Sequence, residues 1–225
     1  MDWSAILLSL KLSSLVCGLL LVIGMPLAYW VTFSRWRWKF LIESIVALPI
    51  VLPPTVLGFY ILVAIGSQSP VGRAWTSWFG HGLAFTFGGL VLASLLYSLP
   101  FMVQPMTVAF SQVDRQLIEA SSILGASKLS TFFRIVLPIS INGVITGAVL
   151  SFAHTMGEFG VVLMVGGNIP GVTRTVSIAI YDEVQNLDYA AANRTALLLL
   201  LFSFVVLSAV YSLNRKSWAA WPLQR

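Results

Sequence analysis

Charge is what this chain has least of. Lys, Arg, Asp and Glu make up 9% of its 225 residues, where a soluble domain carries roughly a quarter. That deficit, with 58% hydrophobic residues and a mean hydropathy of +0.90, excludes water as the main solvent and argues for a bilayer. The single cysteine, Cys17, excludes an intrachain disulfide and a thiolate metal cluster. The two histidines, His81 and His154, fall on different segments, so the clustered side chains of a membrane-embedded enzyme are missing. There is no G-x-x-x-x-G-K-[ST], which excludes ATP binding through a P-loop, and no H-E-x-x-H. Gly88-Gly89 and Gly166-Gly167 read as close packing or turns. A basic n-region and a small-residue cleavage site are also lacking, so the first apolar run is expected to be a retained span. The net charge of +5 is modest; it reflects how Lys and Arg are placed about a bilayer and gives no sign of a nucleic-acid partner.

What is present is long apolar runs. A helix needs about 20 mostly apolar residues to cross the hydrocarbon core, and five stretches qualify: 12–33, 40–65, 83–110, 139–165 and 195–213. The first has room to begin earlier, with Lys11 snorkelling to the interface. The fold class expected is all-α and integral to the membrane, one domain over 1–225. An odd number of spans puts the termini on opposite sides. With the N-terminus outside, nine cations (Arg35, Arg37, Lys39, Arg115, Lys128, Arg134, Arg215, Lys216 and Arg225) lie in the cytoplasm. Four (Lys11, Arg73, Arg174 and Arg194) lie outside. That asymmetry obeys the positive-inside rule. The external segment 166–193 is too long for a turn, and 176–184 is expected to form a short helix against the outer face of the bundle.

Two features stand out from this apolar background. The first is a polar stretch at 111–138 that contains EASSILGASKLSTFFRIVLP. Ser111 followed by Asp114 fits a capping box, and Gly125 fits the left-handed position that ends a helix. Ser127 then caps a second helix, on which Leu129, Phe132, Phe133 and Val136 share one face at a period of 3.6. Pro138 ends it, and the expected product is a rigid hairpin of two short helices. The second feature is a set of breakers and ionisable groups inside the spans. Pro49, Pro53, Pro54 and Gly58 interrupt the second span, and freed carbonyls at membrane depth are tolerated only where protein or water satisfies them. The broken helix is therefore a candidate pathway wall, or else a kink that serves packing alone. Pro100 and Pro105 sit near the cytoplasmic end of the third span.

The fourth span carries His154 and then Met156-Gly157-Glu158-Phe159-Gly160. Glu158 lies about 30 Å along an ideal helix from Pro138, toward the outer face, where an acid is costly unless paired, protonated or near water. Two readings stand: Glu158 belongs to an external gate or hinge with Gly157, Phe159 and Gly160, or it makes a structural hydrogen bond to a neighbouring helix. His154 reads as a packed, hydrogen-bonded side chain.

The spacing Glu119-Ala120-Ser121, Gly125, Ile135, Leu137-Pro138 resembles the "EAA" loop of ABC importer permeases. It departs from that pattern at Ser121, where alanine is more usual. LPIVLPPTVLGFYIL, MGEFGVVLMVGGNIPGVTRT and the hairpin, in that order, are similar to the molybdate-type permeases; tungstate and sulfate permeases share some of these features. The resemblance covers about 39–213.

The resemblance implies a coupling-helix hairpin that seats in an ATPase groove, with Glu119 anchoring it, Gly125 shaping the turn, and Phe132 and Phe133 filling the groove. It further implies a homodimer forming one pathway and two cytoplasmic ABC ATPase subunits that bind ATP and magnesium. An external oxyanion-binding protein completes the set, and this chain itself holds no cofactor. The function expected is passage of molybdate across the cytoplasmic membrane; the alternatives are tungstate or sulfate/thiosulfate and, further off, a secondary carrier. No inverted repeat and no midplane cation partner for Glu158 support that carrier. Arg73, Arg174 and Arg194 would guide the anion or meet the docked protein, or else anchor the chain at the interface.

Overall fold

The computed structural model describes residues 2–219, and it is helical, with no strand among them. The first span, α1 (Trp3–Phe33), starts nine residues before the reading from hydropathy, because Asp2 caps it by accepting from the Ala5 amide at 3.0 Å. Lys11 is tolerated inside it: the ammonium sits 4.9 Å from the Phe87 ring centroid.

The expected second span is not one rod. α2 (Lys39–Val51) and α3 (Pro54–Ile65) meet at a 115° bend across Leu52-Pro53. Pro53 has no N–H to donate, and Pro54 occupies the first turn of α3, where a missing N–H costs nothing. A short amphipathic helix, α4 (Pro70–Phe79), follows, with Ser69 accepting from the Gly72 amide at 2.8 Å. α5 (Phe87–Ser111) is long and unbroken despite Pro100 and Pro105.

After the hairpin, α9 (Ile141–Gly157) returns through the bundle. It stops at Glu158-Phe159, and α10 (Gly160–Gly166) continues. α11 (Val176–Gln185) is the short helix expected at 176–184, one residue longer, and α12 (Tyr189–Ala219) is the last span. Arg225 lies outside the described residues. Among the described residues, three helices are long and apolar enough to cross a membrane, and up to five spans result if each bent pair counts as one.

The core lies where α1, α5 and α9 pack together. Leu12, Val16, Leu20, Met102, Met106 and Phe110 are shut off from the surroundings. A second, smaller core joins Ile61 and Ile65 of α3 to Ala93 of α5 and Val161 and Val165 of α10. Large apolar side chains also cover the outside, among them Val51, Tyr60, Leu200 and Phe204. In water that would be an aggregation surface; against lipid tails it is the expected finish.

Candidate functional site: a braced hairpin and a broken pathway wall

The hairpin is built by caps. Its first arm, α6 (Arg115–Ile123), starts from Asp114, whose carboxylate accepts from the Gln116 amide at 2.9 Å. Asp114 is thus the cap itself, and the expected capping box from Ser111 does not form. Ser111 ends α5 and donates to the Val108 carbonyl.

Gly125 takes φ 78°. The Ala126 amide donates back to the Ser121 carbonyl at 3.1 Å, and the Gly125 amide donates to the Ser122 carbonyl at 3.0 Å. These are the paired bonds of a Schellman ending. Ser127 opens α7 (Lys128–Thr131) by accepting from the Ser130 amide at 3.2 Å. The arms are then tied to each other: the hydroxyls of Ser121 and Thr131 are 2.7 Å apart and buried. The one residue that departs from the EAA pattern thus contributes a cross-hairpin hydrogen bond.

The second arm corrects an expectation. Residues Phe132–Val136 form a π-helical turn before the short α8 (Leu137–Ile139). The wider turn changes the angular phase, so the four side chains expected on one face divide. Phe132 and Val136 turn into the bundle, while Leu129 and Phe133 stay exposed at 71% and 57%. Phe132 packs edge-on against Tyr29 of α1 at 5.3 Å and Phe110 of α5 at 6.1 Å. It is therefore half-buried, packed against the spans. Ile135 and Leu137 are half-buried beside it, and Pro138 is exposed.

Glu119 and Ala120 are exposed on α6. Sequence reasoning missed the tip: Ile123 and Leu124 are each 87% exposed. Their signal was present, as two bulky apolar residues immediately before the turn glycine.

Deeper in the bundle, α3 and α10 touch through glycines. A Cβ on Gly58 would fall 2.8 Å from the Met164 Cβ, and one on Gly160 would fall 2.7 Å from the Pro54 Cβ. Pro54 is therefore brought against Gly160 and Gly58 against Val161 and Met164, but Pro49 is buried in α2 and stands apart from that contact. Pro53 forms the break itself.

Beside this contact the chain opens at Glu158, between α9 and α10. Glu158 is buried; its Oε2 accepts from the Ser94 hydroxyl at 3.2 Å, and its Oε1 has no protein partner. Ser94 is in the second turn of α5, roughly 10 Å from the N-terminal end of that helix. Four residues on, Ser98 lies 2.9 Å from His154 Nδ1 and 2.8 Å from the Thr155 hydroxyl. A polar seam thus runs along the α5–α9 contact, and the i, i+4 serines were its overlooked sequence signal. His154 is packed as expected, stacked on Phe101 at 3.9 Å. Phe159 points to α11, its ring 5.0 Å from that of Tyr181, and Gly157 is exposed at the break.

The three arginines differ. Arg174 is engaged: it pairs with Asp2 at 3.8 Å and Asp182 at 3.4 Å and donates to Asn168 at 2.6 Å. These bonds fasten the segment around α11 to the start of α1. Arg73 is exposed, and Arg194 is exposed while donating to the Ala190 carbonyl. Among the described residues no group of three or more His, Cys, Asp or Glu side chains comes close enough to hold a metal ion.

Comparison with known proteins agrees with this architecture. The chain is 53% identical over 215 residues to the molybdenum transport system permease protein ModB of Azotobacter vinelandii, covering 95% of each. It is 41% identical over 184 residues to the protein of the same name from Escherichia coli K12, covering 82% of this chain and 80% of that one. Among solved structures, a bacterial ABC transporter that imports alginate superposes with a TM-score of 0.74 over 95% of this chain and 78% of that one. The MetNI methionine ABC transporter gives 0.71 over 94% of each. Both are 16% identical, so these likenesses concern the fold. The model of the binding-protein-dependent transport system inner membrane component matches residues 21–218. The chain belongs to that family, as a permease subunit of an ABC importer whose ATP hydrolysis is carried out by a separate subunit.

Proposed function

We propose that this chain is the permease of a molybdate importer in the cytoplasmic membrane. The observation that carries the reading is 53% identity to a molybdenum transport permease along 95% of both chains. Two copies form one pathway, two ATPase subunits seat on the hairpins, and an external oxyanion-binding protein delivers the cargo. ATP and magnesium stay with the ATPase. The hairpin faces the cytoplasm and the N-terminus faces outside, a placement that the distribution of Lys and Arg supports.

The physics of the hairpin supports its part in this assembly. A bare tip of Ile123 and Leu124 offers apolar area for an ATPase groove, and exposed Glu119 adds a polar anchor at its side. Capping and the Ser121–Thr131 bond stiffen the arms, so a push on the tip moves the hairpin as a unit. Phe132 delivers that push to Tyr29 of α1 and Phe110 of α5, while Val136 enters the same core. At the far end, the break at Glu158 and the glycine contact between α3 and α10 form a hinged external gate. Few fixed cations line this wall, so selectivity rests with the binding protein, and the permease offers low-affinity passage. Arg73 and Arg194 are the free-standing external cations left for the docked protein; Arg174 is occupied within the chain.

The test is ATP hydrolysis by the chain reconstituted with its ATPase and binding protein, titrated with molybdate, tungstate and sulfate. Stimulation by molybdate at far lower concentration than by sulfate is the expected outcome. Equal response to sulfate would overturn the substrate assignment, a preference for tungstate would move it to that oxyanion, and failure of any ATPase to associate would overturn the coupling role.

A further inference from the structure

Two cavities meet where the inner half of α1 faces the hairpin, and neither serves the gate. One, of about 450 Å³, is lined by Tyr29 and Trp30 of α1 and by Ser34, Ser122, Lys128 and Thr131. The other, of about 460 Å³, continues from Tyr29 along α1, between Val22 and Met25 on one side and Leu129 and Phe133 on the other. Both have the size of ligand pockets. Tyr29 is the shared wall, held by the rings of Phe33 at 4.8 Å and Phe132 at 5.3 Å.

The two ends differ in chemistry. Among the described residues no acidic side chain lines either cavity, and the only charged group on their walls is the Lys128 ammonium, with the hydroxyls of Ser34, Ser122 and Thr131 around the same end. Apart from Tyr29, the other end is lined by apolar side chains alone. A soluble metabolite would leave the apolar end wet, and a pure hydrocarbon would leave the ammonium without a counter-charge. An amphiphile with an anionic head satisfies both. The depth also matches: the cleft follows the last turns of α1 toward Phe33 and ends at the hairpin. There the cytoplasmic leaflet presents anionic headgroups, and basic pockets between helices bind them.

We propose that this cleft holds one anionic phospholipid of the cytoplasmic leaflet, with its phosphate at Lys128 and an acyl chain along Val22, Met25, Leu129 and Phe133. The lipid wedges between α1 and the second arm of the hairpin, so the stiffness of the coupling joint depends on it. This rests on the cytoplasmic placement of the hairpin argued above.

The experiment uses the permease–ATPase complex in nanodiscs of phosphatidylcholine, with and without phosphatidylglycerol, and a photoreactive benzophenone amino acid at Val22. The expected product after illumination is an adduct with the mass of phosphatidylglycerol. Lys128 is exposed, so Lys128→Gln tests charge without disturbing the core, and it should weaken capture about fivefold. Met25→Trp, which fills the apolar end, should abolish it. Equal capture of both lipids, or capture unchanged in Lys128→Gln, overturns the proposal. So does an adduct to the ATPase or to a second permease chain, which would make the cleft a protein contact. Labelling of a Leu124→Cys variant in sealed vesicles separates the two levels. If Leu124→Cys reacts from outside, the placement beneath the proposal fails; if it reacts only from inside and no phosphatidylglycerol is captured, the lipid site alone fails.

Discussion

Three single residues carry separable physics. Gly125 stands at φ 78°, yet a Cβ there would meet nothing within 4 Å, so any cost of substitution is conformational. A left-handed L-residue costs roughly 1–2 kcal/mol, asparagine less, and a β-branched residue most. Gly125→Val is therefore expected to uncouple ATP hydrolysis from transport in a correctly inserted protein, and Gly125→Asn to retain coupling; equal transport by both would remove the turn from the mechanism. Glu158 buries a carboxylate with one oxygen unpartnered, a costly arrangement to keep for packing alone. Glu158→Gln keeps the volume and an acceptor for Ser94. Its expected signature is altered transport with unchanged or raised thermal stability, whereas a lower Tm with normal transport would make Glu158 structural. Asp2 titrates differently from a free carboxylate. The Ser4 hydroxyl bond is the largest influence; with the Ala5 and Ser4 amides and the Arg174 charge it outweighs the opposing desolvation, which ranks second, and holds the pKa below the ordinary 3.8. A depressed folded pKa gives stability that is present above 3.8 and lost as pH falls through the lower folded value. The Tm gap between wild type and Asp2→Asn should therefore be open at neutral pH and close in strong acid.

At the scale of elements, the readable parts were those fixed by local chemistry. The turn at Gly125, the cap at Ser127 and the short helix at Val176–Gln185 follow from residue type and spacing, and the structure has them. What sequence spacing could not give was set by packing between distant segments. The π turn at Phe132–Val136 exists where Phe132 docks between Tyr29 and Phe110, residues about a hundred and about twenty positions away. A 3.6 period assumes a uniform helix and so misassigned that face. The partner of Glu158 was hidden for the same reason, since Ser94 reaches it only through the α5–α9 contact. The 115° bend was half legible: prolines marked its place and gave no angle. The contact of α3 with α10 makes a sharp expectation at this scale. Gly160→Val would drive a Cβ into Pro54, whose ring is rigid and cannot swing aside as a flexible side chain would. Separation of the two helices should follow, read as a longer spin-label distance between α3 and α10 and as ATP hydrolysis that no longer responds to the loaded binding protein. An unchanged distance would place the gate elsewhere.

At the scale of the whole molecule, the chain is a two-ended device with an apolar waist. One end carries the amphipathic α4 and the Arg174 tie from Asp2 to Asp182. The other carries the braced hairpin with its bare tip. The core of α1, α5 and α9 joins them, so force applied at the tip has a packed route to the break at Glu158. This polarity can be measured without knowing the substrate. Cys17 is the single cysteine, and its thiol donates to the Ala148 carbonyl at 3.3 Å, a bond that serine can also make. On a Cys17→Ser background, Trp78→Cys and Leu124→Cys replace side chains that are 82% and 87% exposed at opposite ends. A membrane-impermeant maleimide added to sealed cells should label the Trp78→Cys variant and spare the Leu124→Cys variant, and the pattern should invert in inside-out vesicles. Adding the ATPase to those vesicles should then protect the Leu124→Cys variant, because an apolar tip seated in a groove loses its access to water. Labelling of both variants from one side would break the orientation. Labelling from opposite sides without protection would keep the orientation and remove the hairpin tip from the ATPase contact.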